Sequence, residues 1–240
     1  MNGKTGKSSV QSTLIANQSL GAEIMSLIFY YAPMSTATLT KAVLAELETP
    51  YECVKLDITA GDTRKPEFLH VNPNGRVPVI VHEGTAIWES AAITMYLGEI
   101  FGVDANLYPK PGPKRGEAMK WIVWSNVNLA EAGRRLSAAL PTESDGAVLP
   151  NSLDWVPPEQ RSPIAQEKAI ADLASYLTIL NDGLANHSFL LGDYSLVDTH
   201  LHGIVSWISS MESDLSPFPN VTAWLQRCSD RPAIAKLMAD

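Results

Sequence analysis

The sequence predicts an α/β domain of order βαβ-ββα followed by an all-helical domain. Three observations carry that expectation. Short apolar runs suited to strands occur only before residue 90, at 27–31, 51–58, 77–81 and 85–88. A helical pattern separates the first two runs, so they form a parallel pair joined by a crossover. After the proline-rich LYPKPGPKR (107–115), apolar residues recur at helical spacing alone.

The elements follow in order. LIFYY (27–31) is a buried strand, ended by Pro33. Ser35 and Thr36 stand where a helix N-cap belongs, and Leu39, Val43 and Leu47 follow at i, i+4 and i+8. That helix runs to about Glu48, and Pro50 stops it. YECVKLDI (51–58) alternates as a second strand. GDTRKPEFLHVNPNG is a turn-rich connection around one helical turn at 66–71. Residues 77–81 and 85–88 make a hairpin with Gly84 in its turn. A helix then starts at Glu89, with Ile93, Leu97 and Ile100 on one face, and closes near Gly102.

The second half is helical throughout. A long helix over 117–140 carries Met119, Ile122, Val123 and Ala130 on one side, and Trp121, Trp124, Ser125 and Asn128 as a second row. A helix apolar on two sides packs in a bundle with one and lines something else with the other. Residues 141–162 are a loop long enough for a lid or binding element. Ile170, Leu173, Leu177, Leu180 and Leu184 repeat at 3 and 4. Ser195 and Asp198 fit a capping box, before a helix that turns Val197, Leu201, Ile204, Ile208 and Met211 inward. Two short helices over 221–229 and 232–238 complete the chain. The expected organisation is an extension over 1–24, a first domain over 25–104, a linker over 105–115 and a helical domain over 116–240.

Composition narrows the function classes. A net charge of −8 disfavours non-specific contact with nucleic-acid backbones. No run of about 18 apolar residues exists, so no membrane span is expected. Two cysteines, Cys53 and Cys228, make no disulfide framework, and both are expected in the core. With no signal-peptide pattern ahead of them, a reducing, cytoplasmic setting is expected. The polar residues 1–24 read as a disordered tail, the alternative being a weak transit sequence with Lys4 and Lys7 but no arginine. His200 and His202, two apart on one helix, point different ways and make no metal pair.

Chemistry concentrates in three short stretches. Pro78 stands inside a strand-like run, where it would break the ladder. A cis Val77–Pro78 bond would turn the chain there and expose the Val77 N–H and C=O, an edge able to pair with an extended peptide. Glu89 and Ser90 open a helix whose free N–H groups attract a carboxylate. Ser90 can donate a hydroxyl to that carboxylate, and Glu89 can accept from an ammonium. Ser35 and Thr36 also open a helix, where a hydroxyl and the dipole favour a thiolate. The plainer readings are an edge-strand proline, an acidic cap pair and a hydroxyl cap.

Taken together, the strand-helix-strand start, the hydroxyls after Pro33, NPNGRVP and WESAAI resemble the glutathione transferase family over roughly 26–238. YAPMSTAT and GDTRKPEFLHVNPNGRVPVIV are most similar to its serine-type, phi- or theta-like branch and its fungal and bacterial relatives. The resemblance implies a thioredoxin-like first domain, a homodimer, glutathione as co-substrate, no metal, and a small apolar electrophile as the second partner. It implies that Ser35 stabilises the glutathione thiolate, with Thr36 its close competitor. It implies that Val77 pairs with the cysteinyl unit before a cis-Pro78, and that Glu89 and Ser90 grip the γ-glutamyl end. Arg76 stands where Gln or Lys is common, and Arg64 near the glycyl carboxylate, which suits a guanidinium. The electrophile is expected between the first domain and the helix bearing Trp121, Trp124, Ser125 and Asn128, beneath the 141–162 loop.

Two departures bear on mechanism. Thr40 stands where the serine-type pattern often has arginine, and Tyr30 and Tyr31 lie near enough to keep a tyrosine mechanism open. Residues 35–38 contain no cysteine, so the thiol-exchange branch fits less well. Conjugation in detoxification is the expected activity. The alternatives are glutathione-dependent reduction of peroxides or disulfides, a dedicated biosynthetic transfer, and non-catalytic ligand binding.

Overall fold

In the computed structural model, residues 27–139, 162–211 and 213–239 are described. The expected extension over 1–24 and, Ser162 apart, the 141–162 loop lie outside them. The first domain holds four strands, β1 (Leu27–Tyr31), β2 (Glu52–Lys55), β3 (Val79–His82) and β4 (Thr85–Trp88), in spatial order β2-β1-β3-β4. β1 and β2 are parallel, joined by the crossover helix α1 (Ala37–Leu47). β3 runs antiparallel to β1 and β4 antiparallel to β3. A 3-10 turn at Asp62–Arg64 and α2 (Pro66–Val71) lead into β3, and α3 (Ser90–Leu97) follows β4. This is the expected thioredoxin-like arrangement, with an all-helical domain after it.

Local chemistry explains where the elements stop. β2 ends at Lys55, short of the expected 58, because Asp57 folds the chain into a side-chain turn. Its Oδ1 accepts from Thr59 N–H at 2.8 Å and from Ala60 N–H at 3.0 Å. β3 begins at Val79 rather than Val77, since Pro78 has no N–H for the ladder. The β3–β4 turn places Glu83 at φ 50° and Gly84 at φ 77°, the left-handed pair that suits strand twist in a two-residue hairpin. α3 continues into a π-helical turn at Gly98–Gly102, which widens the helix and rotates its faces. Ile93 and Leu97 are buried as expected, but Ile100 is turned outward.

Cys53 also departs from expectation. It is exposed, because β2 is an edge strand with little covering it, whereas Cys228 is fully buried. Alternation shows which residues share a face, not whether anything covers that face.

The helical domain starts with one long rod: α4 (Pro113–Trp124), a π-helical turn (Ser125–Ala130) and α5 (Glu131–Ala139). α6 (Pro163–Gly183) packs against α5, and Leu173, Leu177 and Leu180 face inward. α7 (Leu196–Ser209) is the central helix, followed by α8 (Pro219–Ser229) and α9 (Pro232–Ala239). α7 also packs on α1 of the first domain. The approach is close: a Cβ at Gly203 would lie 2.3 Å from Leu39 Cδ2. Beside it, buried Glu46 accepts from Arg231 Nη2 at 2.5 Å and from Tyr194 Oη at 3.0 Å.

The expected capping box at Ser195 is present, and Asp198 does more than cap. Its Oδ2 accepts from Ser195 N–H and Ser195 Oγ, both at 3.0 Å. Its Oδ1 accepts from Leu190 N–H at 3.0 Å and Trp224 Nε1 at 2.9 Å. One fully buried carboxyl therefore ties the start of α7 to α8 and to the preceding loop. Asp198→Ala would leave three buried N–H groups without an acceptor, each worth about 1–3 kcal/mol. The expected loss of stability is about 3 kcal/mol or more, read as a lower urea midpoint at unchanged slope.

Candidate functional site

Strand register builds the site. Val79 pairs with Tyr30 on one side and Trp88 on the other. The chain leaving β1, the chain entering β3 and the chain leaving β4 therefore meet at one end of the sheet. Those three segments contain Ser35 and Thr36, Arg76 to Pro78, and Glu89 and Ser90.

The two hydroxyls after β1 have different surroundings. Ser35 Oγ donates to Ala32 O at 2.7 Å and accepts from Ala37 N–H at 3.2 Å, so it is used within its own turn. Thr36 is exposed, and its Oγ1 donates to Val77 O at 3.3 Å, across to the next segment. The tyrosines are engaged elsewhere: Tyr30 packs on Phe68 of α2, and Tyr31 lies against Phe29 and beneath Lys41. Thr40 is fully buried in α1.

The segment before β3 is held by Asn72. Its Nδ2 donates to Arg76 O at 2.7 Å, and its Oδ1 accepts from Asn74 N–H at 3.0 Å. Gly75 sits at φ 62° in this turn, and a Cβ there would come within 2.8 Å of Thr63 O. The Val77–Pro78 bond is cis. The Val77 N–H has no partner among the described residues. Arg64 and Arg76 are exposed on either side of Gly75, and Arg64 Nη1 reaches Asn74 O at 3.5 Å.

At the third segment, Glu89 is exposed and held at φ 74°, a conformation costing a non-glycine residue about 1–3 kcal/mol. The bend turns the chain directly into α3. Ser90 at the helix start is buried, and its Oγ accepts from Asn126 Nδ2 at 3.0 Å. Asn126 belongs to the π-helical turn of the second domain. Its Oδ1 lies 2.8 Å from His200 Nε2, and His200 Nδ1 lies 2.8 Å from Thr94 Oγ1. Burial lowers the His200 pKa to about 4, so the ring is neutral at physiological pH.

The expected row on the long helix divides. Trp121 and Trp124 meet edge-to-face at 5.3 Å, and Trp124 meets Tyr176 of α6 at 6.1 Å. A Cβ on Gly183 of α6 would lie 2.9 Å from the Trp121 ring. Both indoles thus pack on α6. Ser125 is fully buried and donates to Ile122 O at 2.8 Å, while Asn128 is half-buried. Asn126 carries no signal in the sequence, because the π turn alters the periodicity that assigns faces. The spacing of His200 and His202 speaks only to metal ligation. Arg134 of α5 lies near the candidate site's Arg76; burial, and then the charges of Arg76 and Arg135, lower its pKa.

A cavity of about 270 Å³ lies elsewhere, among Leu136, Ile170, Leu173, Leu177, Met211 and Phe218. None of the residues above lines it. Among the described residues no helix is long and apolar enough to cross a membrane.

Two family models match the chain. One describes the glutathione S-transferase N-terminal domain and matches residues 25–99; the other describes the C-terminal domain and matches residues 150–232. Glutathione S-transferase D7 of Anopheles gambiae is 30% identical over 86% of this chain and 87% of its own length. Glutathione S-transferase GstB of Escherichia coli is 28% identical over 81% of this chain and 88% of its own. The glutathione transferase URE2P6 from Phanerochaete chrysosporium, solved with oxidized glutathione, superposes with a TM-score of 0.76 at 21% identity, over 90% of this chain and 96% of its own.

The buried, neutral His200 links stability to pH. The unfolded chain protonates it near 6.5, the folded chain only near 4, so its contribution is complete above about 6.5 and falls as pH drops toward 4. Between neutral pH and about pH 5 the expected loss is about 2 kcal/mol in urea unfolding. His200→Gln should lack this component. An identical pH dependence in both proteins would contradict the assignment.

Proposed function

The chain belongs to the glutathione S-transferase family, and from that premise we propose that it transfers glutathione through sulfur to a small electrophile. One observation supports the reading: the segments carrying Thr36, Val77 and Ser90 meet at one end of the sheet, where the Thr36 hydroxyl already touches the Val77 carbonyl. In this proposal the cysteinyl unit pairs with Val77 N–H and O beside the cis-Pro78. The γ-glutamyl carboxylate sits at Ser90 and the start of α3, with its ammonium toward Glu89. Arg64 and Arg76 take the glycyl carboxylate.

Thr36, rather than Ser35, is proposed to stabilise the thiolate. Its hydroxyl already touches the carbonyl that the cysteinyl N–H would use, so it lies beside the sulfur. When that N–H takes the Val77 carbonyl, the Thr36 proton is free to turn to the sulfur. Ser35 shapes the turn instead. The thiol proton leaves to solvent, the dipole of α1 favours the anion, and the sulfur electron pair attacks the electrophile as its leaving group departs. Neither cysteine stands at this end of the sheet among the named segments: Cys53 is on β2, and burial pushes the Cys228 thiol well up. That favours glutathione's own thiolate as the nucleophile.

The electrophile would lie between Thr36 and the long helix at Asn128, with Trp121 and Trp124 backing that wall from the α6 side. Met119, Val123 and Val127, exposed at i, i+4 and i+8, offer a face for a second copy of the chain.

Conjugation of a chlorinated aromatic, assayed beside hydroperoxide reduction, tests the reaction. The expected result is conjugate formation, with no comparable release of oxidised glutathione. The reverse result would replace transfer by reduction. Removing one hydrogen bond to a charged sulfur costs about 1.5–3 kcal/mol, so Thr36→Ala should cut kcat/KM roughly 10- to 100-fold and raise the bound-thiol pKa. Ser35→Ala should leave that pKa in place. The opposite order would return the role to Ser35.

A further inference from the structure

We propose that Asn126 and His200 are positioning residues that aim the Ser90 hydroxyl proton at the γ-glutamyl carboxylate; this rests on the reading of Ser90 given above. A serine hydroxyl has one proton to donate and two lone pairs that accept. Asn126 Nδ2 fills one lone pair of Ser90 from the second domain. The proton must therefore point away from Asn126, and it has no acceptor among the described residues. A buried donor with nothing to donate to is costly until a ligand supplies the acceptor.

The direction of the chain follows from one end to the other. Asn126 presents Oδ1 to His200 Nε2, so that nitrogen carries the ring's single proton. Nδ1 is then an acceptor, and Thr94 Oγ1 donates to it. Protons thus run from Thr94 through His200 and Asn126 to Ser90, each donor polarised by the one before. Thr94 and His200 are fully buried, so water does not compete at that end. Thr94 and Ser90 also lie one turn apart on α3, so the network leaves that helix through α7 and the π turn and returns to it. The π-helical turn gains a reason here: it rotates Asn126 out of the surrounding helical phase and toward α3. Carboxylate recognition in the first domain is set by side chains of the second.

Calorimetric binding of glutathione, compared with 4-aminobutyryl-cysteinylglycine, isolates this effect, because the second peptide lacks only the γ-glutamyl α-carboxylate. The wild-type protein should prefer glutathione, and Ser90→Ala should reduce that preference. Asn126→Ala and His200→Phe should each reduce it about tenfold, the scale of one charge-assisted hydrogen bond, while leaving the affinity for the truncated peptide unchanged. His200→Gln, which can both donate to Asn126 and accept from Thr94, should restore it. Equal weakening of both peptides would make the network merely structural and overturn the proposal. So would a preference that falls in Ser90→Ala but survives in Asn126→Ala. A preference untouched by Ser90→Ala would instead remove the carboxylate from Ser90, and with it the reading beneath.

Discussion

Val79 pairs with Tyr30 on one side and Trp88 on the other, and that double pairing is what the site depends on. It requires β3 to run antiparallel to both neighbours, and so it brings three chain segments distant in sequence to one end of the sheet. Nothing local to Thr36, Val77 or Ser90 would assemble them. Pro78 stands just outside this ladder, where its missing N–H costs no strand bond, and the Val77 N–H is left without a partner among the described residues. The Asn72 side chain and the left-handed Gly75 then fix how that segment arrives.

The helical domain is organised around a different centre. Asp198 gathers four donors from Ser195, Leu190 and Trp224, and so locks the start of α7. α7 packs on α1 through Gly203, and Glu46 meets Arg231 and Tyr194 beside it, so buried contacts join the two domains there. His200 lies two residues beyond Asp198. The polar chain from His200 to Ser90 therefore rests on the same anchored helix. The buried carboxyl and the buried polar chain thus share one turn of α7.

Much of this was legible in sequence, for identifiable reasons. The four strands, the crossover and the capping box each carry a local signature: apolar runs, caps, prolines and turn residues. The site segments were legible as well, since a proline in a strand and a Glu-Ser helix start are unusual enough to be noticed. What failed depended on coverage or on phase. Cys53 alternates like a core residue, but its edge strand leaves it exposed. Ile100 is expected inward at a period of 3.6, and the π turn at Gly98–Gly102 breaks that period. Nothing in the residues themselves announces a π turn.

By itself, then, the sequence determined the order and type of the elements and the residue types carried by the three segments at the strand ends. Those are properties of neighbours along the chain, written in spacing, caps and breakers. Only the tertiary structure decided which of two adjacent hydroxyls faces Val77, and that Asn126 and His200 stand behind Ser90. Those choices depend on the rotation of a helix start and the phase of a π turn, and both are set by what packs against them from far along the chain.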